Sequence, residues 1–169
     1  TVYYMKTMEK VAAKYAYYFR PPVEKIDATH YRVTYYTIDG KIKNTYVLIP
    51  KLIDYNYSLE LSVAIKDGEH KIYKNGILTT ESAYTMNKAS GYWRFMEDDG
   101  VVFAEGNYSN GNQAGDWKYY YQGKLSKIIN FEDTTGRYYY YTEYKPSGVK
   151  RLEGYITEVS NGGKKQKLK

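Results

Sequence analysis

The feature of the sequence that most constrains its fold is an aromatic position that returns every 24 residues. Trp93, Trp117 and Tyr141 have this spacing, and each is followed six or seven residues later by a glycine. A second marker agrees, because residues 104–108 (AEGNY) match residues 152–156 (LEGYI) at twice that period. Two markers with one period predict a repeat array, in which each unit packs against the next.

Each unit has the pattern of a β-hairpin. Aromatic residues alternate along its first strand, as in Trp117, Tyr119 and Tyr121, and aliphatic residues follow the turn. Glycine supplies the positive φ that tight hairpin turns need. The predicted turn glycines are Gly100, Gly123 and Gly148. Two earlier segments, around Gly40 and Gly76, have the same order of aromatic residues, turn glycine and aliphatic residues, with less regular spacing. We interpret them as degenerate units.

The amino end has a different pattern. Apolar residues fall at helical spacing between Met8 and Phe19, which predicts a short helix from about residue 4 to 18. Tyr15, Tyr17, Tyr18 and Phe19 would equally suit the start of a strand. Pro21 and Pro22 would stop a helix before them. Residues 50–66 alternate between apolar and polar side chains and predict one longer strand.

We therefore predict a mainly β fold, an elongated array of antiparallel β-hairpins with a short amino-terminal helix. The sequence divides into an amino-terminal segment (1–27), degenerate hairpin units (28–90), regular repeats (91–163) and a basic tail (164–169). No apolar run approaches the roughly 20 residues of a membrane span, so we expect a soluble chain. The absence of cysteine excludes disulfides and thiolate chemistry.

Composition and charge limit the expected partners. The chain contains 24 tyrosines, which suit a half-exposed sheet because each buries a ring while its hydroxyl stays in water. Four of the six net positive charges are lysines in the tail, so residues 1–163 have a net charge of only about +2. We expect no nucleic-acid partner, since such a surface needs lysine and arginine among its aromatic rings. The tail lysines could make weak contact with an anionic membrane, but protection of a sheet edge against aggregation is the favoured interpretation.

The period, the Gly-x-Trp-x-[Phe/Tyr] segments, the turn glycine, Glu-Gly-x-Tyr and Asn-Gly together resemble the MORN repeat, and most closely its bacterial antitoxin-like variant. Residues 91–130 are the best match and residues 137–163 a weaker one, while residues 28–41 resemble the opening unit of exported MORN-like proteins of Bacteroidetes-type bacteria. The resemblance implies an elongated, twisted array of hairpins. From eukaryotic relatives it also implies membrane tethering and protein interaction.

Candidate chemical groups are few. Glu97, Asp98 and Asp99 form an acidic cluster directly before Gly100, where solvated turn residues are common, so we interpret the cluster as structural. Glu105 and Glu153 recur at one repeat position, and we expect each to accept hydrogen bonds from a neighbouring unit. The two histidines, His30 and His70, lack the partners that a zinc site or a catalytic triad would need. We predict no catalytic residue, metal or cofactor.

The tyrosine runs leave two interpretations open. Alternation places rings on both faces of their strands, so some rings cover the sheet and others are exposed. The candidate binding residues are Tyr119, Tyr121, Tyr139 and Tyr141. The leading hypothesis is a non-enzymatic, exported protein, periplasmic or envelope-associated, that binds a protein or an envelope glycan. The alternatives are an envelope hydrolase that uses the turn carboxylates and an antitoxin-like partner of a toxin.

Overall fold

The structure, a computed structural model, describes residues 1–4, 10, 12, 16–52, 59–132 and 139–156. These residues form one open antiparallel β-sheet and no helix, which confirms the predicted array of hairpins. The described residues therefore include no helix that could span a bilayer. The strands are β1 (Val2–Tyr4), β2 (Tyr18–Arg20), β3 (Glu24–Lys25), β4 (Tyr31–Thr37), β5 (Ile42–Leu52), β6 (Leu59–Lys74), β7 (Ile77–Thr85), β8 (Lys88–Met96), β9 (Val102–Ser109), β10 (Asn112–Tyr121), β11 (Lys124–Asn130), β12 (Tyr139–Tyr144) and β13 (Lys150–Ile156).

The strands follow one another across the sheet in chain order. The path runs from β1 through β2 and β4 to β13, and β3 pairs with β4 beside this path. The boundary predicted between residues 90 and 91 falls inside β8, so the irregular and the regular units belong to the same sheet. The predicted tail, residues 164–169, lies outside the described residues.

Every second hairpin along the sheet has the same type of turn followed by the same type of β-bulge. Each of these turns contains a glycine with a φ between 72° and 86°, and the strand that follows has one extra residue three positions after that glycine. The turn glycines are Gly40, Gly76, Gly100, Gly123 and Gly148, and the bulge residues are Lys43, Thr79, Phe103, Ser126 and Arg151. The predicted turns at Gly100, Gly123 and Gly148 are thus confirmed. The two units interpreted as degenerate have the same local structure.

The glycine of each Gly-x-Trp segment has a separate role. The pairing register shifts by two residues at positions 67–68, 91–92 and 115–116, which recur every 24 residues. Gly91 and Gly115 have φ values of 64° and 63°, in the left-handed region that favours glycine. A bulge re-aims the side chains that follow it and increases the local twist. The repeated motif therefore shapes the sheet.

One face of the sheet, here the tryptophan face, carries Trp93, Trp117 and Tyr141. Six rings on this face contact one another in succession, one from each strand of β5–β10, with centroids 4.8–5.8 Å apart. They are Tyr46, His70, Tyr84, Trp93, Tyr108 and Trp117. This series contains three pairs of residues separated by 24 positions, so the repeat period places rings side by side across the sheet.

The two tryptophans occupy equivalent but unequally buried positions. Nε1 of Trp93 donates to the carbonyl of Ala83 at 3.1 Å, and Nε1 of Trp117 donates to that of Asn107 at 2.8 Å, each ten residues earlier in the chain. Trp117 is 1% exposed, whereas Trp93 is half-buried. Each indole is near three other rings, so neighbouring rings do not account for the difference. The indole of Trp117 lies directly over Gly106, which brings it close to the backbone.

Two sequence predictions need correction. Tyr4 and Tyr18, the ends of the predicted helix, lie in β1 and β2, and most residues between them are outside the described range. Residues 50–66 do not form one strand, because β5 ends at Leu52 and β6 begins at Leu59, and these two residues are paired across antiparallel strands. Residues 53–58 lie outside the described residues. Alternation is the same in both strands, so periodicity could not mark the division between them.

Gly106 provides a test of the packing beneath Trp117. A Cβ added at Gly106 would lie 2.5 Å from Cδ2 of the indole, whereas one added at Gly154 would lie 3.6 Å from Cε1 of Tyr141. We expect Gly106→Ala to lower the free energy of unfolding by about 1–3 kcal/mol through overpacking. The matched change Gly154→Ala should be neutral or slightly stabilising. Urea unfolding measures both, and equal midpoints for the two variants would contradict this account.

The tryptophans should differ in their contribution to stability. They occupy the same position of the repeat, but their burial differs. We expect Trp117→Ala to cost about 3–5 kcal/mol, as large-to-small core changes do, and Trp93→Ala to cost clearly less. Denaturant midpoints followed by circular dichroism would show the order, and a larger loss for Trp93→Ala would refute it.

Candidate binding surface

The opposite face of the sheet, here the carboxylate face, carries Glu81, Glu105 and Glu153. One row of directly opposed residues crosses it from β6 to β10 with alternating charge. This row is Lys71, Glu81, Arg94, Glu105 and Lys118. Glu81 accepts from Arg94 at 2.8 Å and lies 3.5 Å from the amine of Lys71. Opposed charges stabilise the strand register, and their alternation leaves no strong field of one sign on this face.

A first tyrosine cluster is centred on Glu105. The hydroxyls of Tyr92 on β8 and Tyr120 on β10 donate hydrogen bonds to different oxygens of this carboxylate. The O···O distance from Tyr120 is 2.6 Å. The sequence prediction that Glu105 accepts hydrogen bonds from its neighbours is therefore confirmed. Tyr92 is 47% exposed, so its ring is held in a fixed position while much of its surface contacts solvent.

Electrostatics keep Glu105 ionised and its tyrosines neutral. Burial acts to raise the pKa of Glu105, but the hydrogen bonds from Tyr120 and Tyr92 and the charges of Lys118 and Arg94 together hold that pKa below its ordinary value. Burial, followed by the hydrogen bond to Glu105, raises the pKa of Tyr92 and of Tyr120 to about 12. The cluster is therefore an ionised acceptor held between two hydroxyl donors.

A second tyrosine cluster repeats this chemistry 48 residues later. Glu153 on β13 accepts from the amine of Lys150 at 2.6 Å and from the hydroxyl of Tyr140, and these two bonds, in that order, lower its pKa. The rings of Tyr140 and Tyr155 make an edge contact with centroids 5.4 Å apart. Tyr155 is 65% exposed. The second cluster thus offers two rings and a carboxylate at the last described strand.

The two clusters lie on the same face. The row of opposed residues continues from Glu105 and Lys118 through Ile128 and Thr142 to Glu153. Glu105 is on β9 and Glu153 on β13, and four inter-strand steps of 4.7–4.9 Å place them about 19 Å apart. The carboxylate face therefore presents two similar tyrosine clusters along a line that crosses the strands.

The four tyrosines predicted as binding residues lie on the tryptophan face in different environments. Tyr141 is 8% exposed, and Tyr119 is half-buried beside Trp117. Tyr139 is partly buried against Phe131, with ring centroids 4.8 Å apart. Tyr121 is 69% exposed and is the member of this set that offers a free ring surface.

Sequence reasoning missed the tyrosines of the carboxylate face. A signal for them exists, because Tyr92 and Tyr140 are separated by the same 48 residues as Glu105 and Glu153. Neither the side of the sheet on which a ring lies nor its exposure follows from that spacing alone.

The acidic turn before Gly100 has structural contacts. The carboxylate of Asp98 pairs with the amine of Lys74 on β6, which joins two hairpin ends. Oδ1 of Asp99 accepts from the backbone N–H of Val101 at 2.9 Å. Within the residues that the structure describes, no group of three or more His, Asp or Glu side chains is arranged to hold a metal ion.

The two histidines have opposite environments. His30 lies between two carboxylates, with Nδ1 3.0 Å from Asp27 and Nε2 3.0 Å from Asp67. Hydrogen bonds to Asp67 and then Asp27 raise the pKa of His30. His70 lies between the rings of Tyr46 and Tyr84, where burial, with a smaller effect from the charge of Lys66, lowers its pKa to about 4.

No known family model matches the sequence, and it has no significant similarity to a curated protein. The resemblance to MORN repeats therefore stays a prediction from the repeated motifs.

The two histidines should make the stability of the fold depend on pH in opposite directions. Stability from the charged His30 is complete below its ordinary pKa of 6.5 and is lost as pH rises through its raised folded-state pKa. His70 is neutral in the fold, so its protonation in the unfolded state lowers stability as pH falls from 6.5 toward about 4. The carboxylates of Asp27 and Asp67 have lowered pKa values, so their contribution is lost only in acid.

Urea unfolding across this pH range tests both effects. We expect His30→Gln to lose most stability below pH 6.5 and to approach the wild type in alkali. His70→Gln should flatten the decline in stability between pH 6.5 and 4. Parallel curves for the wild type and His30→Gln would show that the carboxylates do not hold a charged imidazole.

Proposed function

We propose that this chain is a non-enzymatic, exported repeat protein that binds a cell-envelope partner through the exposed tyrosines of its carboxylate face. The observation that supports the proposal is the pair of tyrosine clusters, in which carboxylate hydrogen bonds hold partly exposed rings in place. Holding a ring before binding reduces the ordering cost of association, and tyrosine offers contact area together with a polar end.

The sheet is suited to an extended partner. Its faces are broad and its strands are paired in one continuous ladder, so the clusters keep fixed positions relative to one another. The hydrolase alternative has less support, because Asp98 and Asp99 at the acidic turn already form an ion pair and a turn hydrogen bond. An antitoxin-like role has no supporting contact among the described residues.

Co-sedimentation of the full chain with washed bacterial cell envelopes tests the proposal. We expect binding that falls at least tenfold in the double variant Tyr92→Ala/Tyr155→Ala, because each change removes an exposed ring without opening the tryptophan face. Tyr121→Ala is the matched control, since it removes a ring that is at least as exposed from the tryptophan face.

The opposite result, loss with Tyr121→Ala alone, would assign binding to the tryptophan face. No sedimentation of the wild type would reject the proposed function. Protease treatment of the envelopes distinguishes the partner, because a glycan partner survives it and a protein partner does not.

A further inference from the structure

The two tyrosine clusters recur in a pattern that stability alone does not explain. The unit between them has Asp116 and Ile128 at the positions of Tyr92 and Glu105, so it lacks both the ring and the carboxylate. Its strands nevertheless pair in the same sheet. A contact needed only to join adjacent units would be expected in every unit. The unit before the first cluster has Glu81 at the carboxylate position but Gly68 at the position of Tyr92. Among these four units the tyrosine and the carboxylate therefore occur together in two, which favours a role in which their spacing matters.

We propose that the two clusters are subsites for one neutral glycan chain, which crosses the strands of the carboxylate face and contacts both. This inference rests on the proposed function and specifies its ligand. The first subsite consists of Tyr92, Glu105 and Tyr120, and the second consists of Tyr140, Glu153 and Tyr155.

The chemistry of each cluster matches a sugar ring. A pyranose has an apolar C–H surface that packs on an aromatic ring and a rim of hydroxyls that both donate and accept hydrogen bonds. Each ionised carboxylate has about four lone-pair sites, and the two named hydrogen bonds to Glu105 leave others for ligand hydroxyls. Arg94 and Lys118 lie opposite Glu105 in the register and can donate to ligand oxygens.

Charge favours a neutral ligand. The row from Lys71 to Lys118 alternates in sign, and Glu153 is paired with Lys150. An anionic polymer would meet Glu105 and Glu153 at the two clusters, and a cationic one would meet Lys118 and Lys150. A neutral, hydroxyl-rich polymer meets neither repulsion.

Backbone pairing favours a glycan over a peptide. Peptides that bind to sheets usually add a strand at an open edge, where free N–H and C=O groups pair with the peptide backbone. The first cluster lies on β8, β9 and β10, inside the sheet, where the backbone is already paired on both sides. A peptide lying across this face would leave its own backbone groups without such partners.

Spacing predicts how affinity depends on ligand length. A chain long enough to cover the roughly 19 Å between the clusters binds the second cluster intramolecularly, at a high effective concentration. A shorter chain binds one cluster at a time and gains nothing from the second.

Calorimetric titration with neutral β-1,4-linked N-acetylglucosamine oligomers of increasing length tests the proposal. We expect the dissociation constant to fall at least tenfold once the oligomer spans both clusters. Tyr92→Ala and Tyr155→Ala should each abolish this gain while leaving weak binding of the disaccharide at the intact cluster. Tyr121→Ala should keep the full gain.

Three results would overturn the inference. They are an affinity independent of length, a length gain that survives both single changes, and an absence of oligomer binding. If envelopes still bind the chain when oligomers do not, the proposed function stands and only this ligand assignment fails. If neither binds, both fail.

Discussion

The packing of aromatic rings over small residues on the tryptophan face is the constraint on which the rest of the structure depends. An open sheet needs cover for at least one face, and the described residues contain neither a helix nor a second sheet that could supply it. Side chains of the sheet itself provide the cover. Gly106 lies beneath the indole of Trp117, in space that a Cβ would fill, and so the largest side chain of the core reaches the backbone.

The bulges make this packing possible. Each Gly-x-Trp glycine adopts a left-handed φ and shifts the pairing register by two residues immediately before the tryptophan. The shift places Trp93 and Trp117 at the same phase, and their indole N–H groups bond to equivalent carbonyls. The turn and bulge glycines therefore contribute to the packing of the rings, because they set which residues lie side by side across the sheet.

Concentrating the core on one face leaves the other face available for polar contacts. Its charged row and its tyrosine–carboxylate clusters lie on strands whose positions the opposite face already holds. The rings of Tyr92 and Tyr155 remain substantially exposed although their clusters are hydrogen-bonded. The two faces thus differ in structure, because one contains most of the buried rings and the other carries exposed tyrosines and paired charges.

Local rules were enough to predict much of the fold from the sequence. The 24-residue period, the alternation of aromatic residues and the glycines that permit positive φ are local properties, and they indicated antiparallel hairpins with turns at Gly100, Gly123 and Gly148. The same rules failed where they were ambiguous, since residues 50–66 alternate identically whether they form one strand or the ends of two.

The candidate surface depended on the tertiary structure. Tyr141 and Tyr140 are neighbours of the same residue type, yet one is buried and the other is partly exposed beside Glu153. Which side of a strand faces the core depends on register and bulges across several strands, and no single segment contains that information. The sequence by itself determined the repeat, the positions of its turns and the large number of aromatic side chains. Only the assembled sheet decided which rings form the core and which remain exposed, because burial is a property of neighbours brought together from distant parts of the chain.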